Sequence, residues 1–170
     1  EQGRNFCNKI WNAFRLTQGW EVSSDLPAIN QLAIDWFESK FNQTLTEVHD
    51  LFTKFRISDA LNAVYKLIWD DFCAQYLEMI KPEYQQPIDA ATYAATLDFF
   101  DKLMRLAHPF MPFITEEIWQ NIADRAEKDT ICLAPFPQPG TTNPELLADF
   151  EVLFEVVSAI RNLRNSKGMS

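Results

Sequence analysis

Between positions 61 and 80 the bulky apolar residues Leu61, Val64, Ile68, Phe72, Tyr76 and Ile80 recur at steps of three and four. That repeat lines one face of an α-helix and cannot line one face of a strand. A stripe about five turns long has to be covered by other elements, so this segment sets the architecture of the whole chain. Only 4 glycines occur, and the 9 prolines gather between apolar segments rather than inside them. The expected connections are therefore short and stiff, and the fold class is all-α.

The same spacing marks the neighbouring elements. Phe6, Cys7, Ile10, Trp11 and Phe14 predict a first helix stopped at Gly19. Ser23-Ser24-Asp25 before Pro27 predicts the start of a long second helix, with Ile29, Leu32, Trp36, Phe41, Leu45, Val48 and Phe52 inward. Ser58 and Asp59 are the expected caps of the third helix, which ends before Pro82. Pro87-Ile88-Asp89 opens a fourth, with Tyr93, Leu97, Phe100, Met104 and Ala107 inward. Thr115, followed by Glu116 and Glu117, is expected to cap a short fifth helix. Asn143-Pro144-Glu145 starts a sixth, with Phe150, Leu153, Val157 and Ile160 inward. The expectation is a bundle of about six helices: residues 1–128 as the body, 129–143 as a Pro-rich connection with one short strand around Ile131 to Leu133, and 144–170 as a C-terminal helix.

Net charge is −9, which by itself disfavours nucleic acid. Its distribution is uneven: residues 1–20 hold Arg4, Lys9 and Arg15 against Glu1, and residues 156–170 hold Arg161, Arg164 and Lys167 with no acid. Apolar runs fall short of the ~20 residues of a membrane span, and the first residues lack a signal-peptide pattern, so the chain is expected to be either cytoplasmic or a cut fragment. Cys7, Cys73 and Cys132 form no C-x-x-C pair, which fits neither a disulfide framework nor a zinc site.

No catalytic or metal-ligating set is expected. Asp70-Asp71 and Glu116-Glu117 are adjacent on helices, so each pair diverges by roughly 100° and is read as solvated charge. His49 and His108 have no ligand or nucleophile at a telling spacing. Helix one is more informative, because Arg4, Asn8, Asn12 and Arg15 follow at steps of four, four and three to form one polar stripe. Two readings of its asparagines stand: they bond the backbone of the bundle, or they address the edges of unstacked bases beside guanidinium and aromatic planes.

Three blocks carry a family resemblance. Gly3 to Arg15, G-R-N-F-C-N-K-I-W-N-A-F-R, resembles the opening of the anticodon-binding domain of valyl-tRNA synthetases. Trp69 to Pro82, W-D-D-F-C-A-Q-Y-L-E-M-I-K-P, and His108 to Trp119, H-P-F-M-P-F-I-T-E-E-I-W, resemble the same family in the same order. The pattern P-F-x-x-E-E-x-W is shared more loosely by the isoleucyl and leucyl enzymes; the first two blocks point to the valine member.

The resemblance implies the helical anticodon-binding domain of a class Ia aminoacyl-tRNA synthetase. It also implies that the chain is not itself an enzyme and uses no cofactor, whereas the parent is an ATP-dependent ligase with H-I-G-H and K-M-S-K-S signatures. Neither occurs here; Ser166-Lys167-Gly168-Met169-Ser170 shares letters with the second in the wrong order. The implied partners are the anticodon stem-loop of valine tRNA, and the catalytic domain and C-terminal tail of the same parent chain, in a monomer. The implied contacts are Arg4, Asn8, Asn12 and Arg15, with Lys81 and Tyr84 as a supporting edge, facing adenine and cytosine at the second and third anticodon positions. The alternatives are the isoleucyl or leucyl sibling, or a helical module for protein interaction or scaffolding.

Overall fold

A computed structural model describes residues 1–168. Helix α1 spans Gln2–Gln18, α2 Gln31–Thr53, α3 Ile57–Lys66, α4 Leu77–Ile80, α5 Ala90–Ala107, α6 Pro112–Ile122 and α7 Pro144–Ser166. A π-helical segment, Leu67–Tyr76, joins α3 to α4 without a break, so the described residues form six helical rods. Met169 and Ser170, the end of the basic C-terminal stretch, lie outside the described residues.

The central rod carries the stripe that dominates the sequence, and it is wound to suit it. Val64, Ile68, Phe72, Tyr76 and Ile80 stand four apart and are all buried. On a 3.6-residue turn such a stripe drifts by about 40° per step. Hydrogen bonding to the fifth residue widens the turn and brings the stripe back over one line. Phe72 and Tyr76 then stack, and both meet Phe37 of α2 with ring centroids 5.1 Å away. Phe99 and Phe100 of α5 close the cluster edge-on. Burial pushes the Tyr76 phenol up to about 12. Its hydroxyl is satisfied by Thr96 at 3.0 Å. One contiguous cluster of buried residues runs from Phe6 to Phe150, so these elements share one hydrophobic core.

Several boundaries differ from the sequence reading, each for a physical reason. Helix α2 begins at Gln31, and Ile29 and Leu32 are exposed. Ser23 is used otherwise: Val22–Ser23 pairs in parallel with Ile88–Asp89. The expected strand at Ile131–Leu133 is a 3-10 turn. Arg56 rather than Ser58 stands at the N-cap position of α3, without a side-chain cap bond, and donates to Asp59 at 2.7 Å; Ala60 takes the inward position expected of Leu61. Asp89 caps α5 as a carboxylate accepting from the Thr92 N–H at 2.8 Å. Thr115 is not a cap, because Pro112 already opens α6 at its first turn; its hydroxyl instead donates to the Met111 carbonyl at 2.7 Å. Asn143 does cap α7, yet Leu153 and Ile160 are exposed and only Leu147 and Phe150 are buried. Phe150 and Phe154 seat the helix on Trp36 at 5.3 and 5.2 Å.

The segment 129–143 is strapped to the body by its own backbone. Asn42 donates to the Thr141 carbonyl at 3.0 Å and accepts from the Gly140 N–H at 2.9 Å. A Cβ at Gly140 would come within 3.1 Å of that amide, which explains a glycine there. Arg105 donates to the Pro135 carbonyl at 2.9 Å, and the Asn143 N–H donates to Ser39 at 3.2 Å.

Solvated charge describes Asp70 and Glu117 but not their neighbours. Glu116 accepts from Gln120, Thr130 and the Ile131 N–H. Asp71 is half-buried above a polar groove shared with Lys40, Glu47, Arg56, Asp59 and Lys66. Desolvation pushes its carboxyl up from 3.8 to about 6, with Lys40 opposing and Asp70 reinforcing the shift. A folded-state value above the unfolded one contributes stability at low pH that is lost as pH rises through the folded value. Stability of the parent should therefore fall relative to Asp71→Asn between pH 3.8 and about 6, and run parallel to it above. Thermal melts of both across that range read the slope; identical pH profiles would contradict it.

Candidate nucleic-acid interface

Helix α1 buries Phe6, Ile10, Ala13, Phe14 and Thr17. Counting 100° per residue, those positions centre on the side roughly opposite Arg4, Asn8, Asn12 and Arg15. The four stripe residues fall within about 80° of circumference and along about 16 Å of axis, and all four are exposed. None of their side chains, nor that of Asn5, bonds any described residue; the asparagines do not serve the bundle backbone.

The opposite face is held rigidly. Phe6 stacks on Tyr65 at 4.9 Å and Tyr65 on Trp69 at 5.6 Å. Lys9 sits 4.1 Å from the Trp69 ring centre, a cation–π contact that covers the end of this stack. The partly buried Cys73 has its thiol pushed up to about 12 by burial, so it is an inert packing group rather than a nucleophile. Farther along, Trp11 packs against Phe14 at 5.7 Å and Phe14 against Phe100 at 6.0 Å.

The end of α1 meets a second element through the short strand pair. The Ile88 N–H donates to the Glu21 carbonyl at 2.8 Å and Val22 pairs with Ile88, which draws the 81–87 turn alongside Gly19 and Trp20. The turn itself uses Gln85 at φ 62 and a Gln86 N–H to Glu83 carbonyl bond of 2.9 Å. Between the two segments lies an open cleft of ≈ 540 Å³ that Arg15 and Tyr84 both line, with Trp20 on its wall. Tyr84 is 89% exposed, so its ring is available for stacking.

The sequence-derived set thus divides. Arg4, Asn8, Asn12 and Arg15 share one face, and Arg15 shares the cleft with Tyr84. Lys81 follows α4 and donates to Glu78 at 2.6 Å, which neutralises part of its charge locally, while Glu21 and Glu83 add acid near Arg15. Trp20 was not among the expected contacts: its place in the cleft depends on the strand pair, which no local pattern announces. Phosphate or base edges against Arg and Asn, with a ring in the adjacent cleft, are what this surface can offer a looped single strand.

Comparison with known proteins gives the family. The sequence model of the anticodon-binding domain of tRNA ligase matches residues 35–170. The chain is 52% identical over 171 residues to the valine tRNA ligase of Porphyromonas gingivalis, covering 99% of this chain. It is 55% identical over 171 residues to that of Phocaeicola vulgatus and 46% identical over 173 residues to that of Bacteroides fragilis, in both cases over 100% of this chain. The chain spans 20% of the length of these relatives. A helical bundle matched by that family model over residues 35–170, and by these relatives over 99–100% of its length, belongs to the anticodon-binding domains of tRNA ligases.

Proposed function

We propose that the chain holds the anticodon stem-loop of valine tRNA against the outer face of α1, as the recognition domain of a valine tRNA ligase. The observation that carries this is the stripe Arg4, Asn8, Asn12 and Arg15, exposed and without bonds to described residues on a helix whose other face is locked into the core. Guanidinium groups supply phosphate attraction and planar stacking, asparagines supply paired donors and acceptors for base edges, and Tyr84 supplies a ring beside Arg15. The ATP-dependent joining of valine to tRNA is work for the catalytic part of a longer parent chain, in a cytoplasmic monomer. No described helix is long and apolar enough to cross a membrane.

A second reading has its own observation: Leu153, Val156, Ile160 and Leu163 of α7 are exposed, which would suit a module docking another protein surface. Salt separates the two. Affinity for the stem-loop should fall linearly on a logarithmic salt scale, with a slope of roughly −0.7 to −0.9 for each phosphate neutralised. Fluorescence anisotropy from low to physiological salt reads the slope; binding indifferent to salt would contradict the RNA reading.

A further inference from the structure

His108, Glu116 and Cys132 are separated in sequence but converge where the end of α5, α6 and the 3-10 turn Ile131–Leu133 meet. One ligating atom from each lies within 4.8 Å of the others. His108 Nδ1 is 2.8 Å from the Thr115 hydroxyl oxygen, whose own proton goes to the Met111 carbonyl at 2.7 Å. The imidazole therefore donates from Nδ1, and Nε2 keeps its lone pair, 3.2 Å from Cys132 Sγ. The Glu116 carboxylate is fixed by Gln120 at 2.8 Å and Thr130 at 2.8 Å. The Ile131 N–H reaches both carboxylate oxygens, at 3.3 and 3.2 Å, so three donors orient the group.

We propose that these three side chains form a binding site for a borderline-soft divalent cation of the zinc type. Thiolate, imidazole and carboxylate are the donors such an ion takes, at about 2.3 Å from sulfur and 2.0–2.2 Å from nitrogen or oxygen. Those lengths put neighbouring donors of a tetrahedron roughly 3.5 Å apart. The histidine and cysteine atoms are already near that separation, and the carboxylate needs a shift of about an ångström. Two of the ligands already have their outer partners: Thr115 sets the histidine tautomer, and Gln120 and Thr130 hold the carboxylate. Cys132 is exposed, so the fourth position opens to solvent. The bound ion would clamp the α5–α6 bend to the proline-rich strap and so favour the folded chain.

Cobalt(II) is the probe, added to the reduced chain after circular dichroism shows the helical fold. A thiolate-to-cobalt charge-transfer band with tetrahedral d–d absorption should appear, zinc should displace it, and a large excess of magnesium should not. Cys132→Ser should abolish the charge-transfer band, and Thr115→Val should weaken cobalt binding by about 10–100-fold. The double variant Cys7→Ser with Cys73→Ser should keep the full spectrum. Absence of a tetrahedral spectrum, a charge-transfer band that survives Cys132→Ser, or equal competition by magnesium would overturn the site and leave His108 and Cys132 as a plain hydrogen-bonded pair.

Discussion

Truncating Phe72 to alanine is expected to lower stability by roughly 3–5 kcal/mol, the largest effect of any single change considered. The ring is fully buried at the crossing of three elements, stacked on Tyr76 at 5.5 Å, tilted against Phe37 at 5.1 Å and edge-on to Phe100 at 4.8 Å. Removing it strips transfer energy and leaves a void that the neighbouring rings fill only in part, because they are pinned by their own contacts. Against a total of about 5–15 kcal/mol that is a large share. At about 2–4 °C for each kcal/mol in a domain of this size, the melting temperature should drop by 10 °C or so. Phe113→Ala is the control: that ring is 90% exposed and its loss should stay within about 0.5 kcal/mol. A Phe72→Ala melt unchanged from the parent would contradict the register of the central rod.

The second large effect is on binding. Arg4→Ala and Arg15→Ala are expected to weaken the stem-loop complex by on the order of tenfold each, the worth of one charge-assisted hydrogen bond. Each should also reduce the salt slope by about one unit where the contact is to phosphate. Neither residue bonds another described one and both are exposed, so the thermal midpoint should stay where it was. Arg15→Lys separates the two functions of the group: it keeps the charge and loses the planar fork that stacks and bonds in pairs. Titrations of the variants beside their melts give the answer, and affinity lost together with stability would mean the stripe holds the fold rather than RNA.

Whatever depends on period alone was legible from the residues. The stripe through Val64, Ile68, Phe72, Tyr76 and Ile80 is buried, α1 packs through Phe6, Ile10 and Phe14, and Arg4, Asn8, Asn12 and Arg15 share the opposite face. What failed depends on competition between elements. Ala60, too small to stand out in the pattern, is buried where Leu61 is exposed. Ser23 looked like a helix start and went instead to a strand pair with a segment more than sixty residues away. Leu153 and Ile160 of α7 have the spacing of an inward face, yet the described residues cover only its first part. The π winding left one trace, a stripe at strict steps of four, which an ordinary helix cannot keep on one line.

Site legibility follows the same division. The α1 stripe is local and visible from spacing; Tyr84 beside it came only from the family resemblance, because their junction across the cleft depends on the Val22–Ile88 pairing. The block His108 to Trp119 supported the family resemblance, but sequence spacing could not place Cys132 beside His108 across the strap.

The most direct measurement compares two anticodon stem-loops at one low salt concentration: one with adenine and cytosine at the second and third anticodon positions, and one with those two bases exchanged. Charge, length and loop size are the same in both, so backbone attraction cancels and only base reading remains. If the α1 face reads the anticodon, the chain binds the first more tightly, and Asn8→Ala or Asn12→Ala narrows the difference. Equal affinity for the two stem-loops would contradict it.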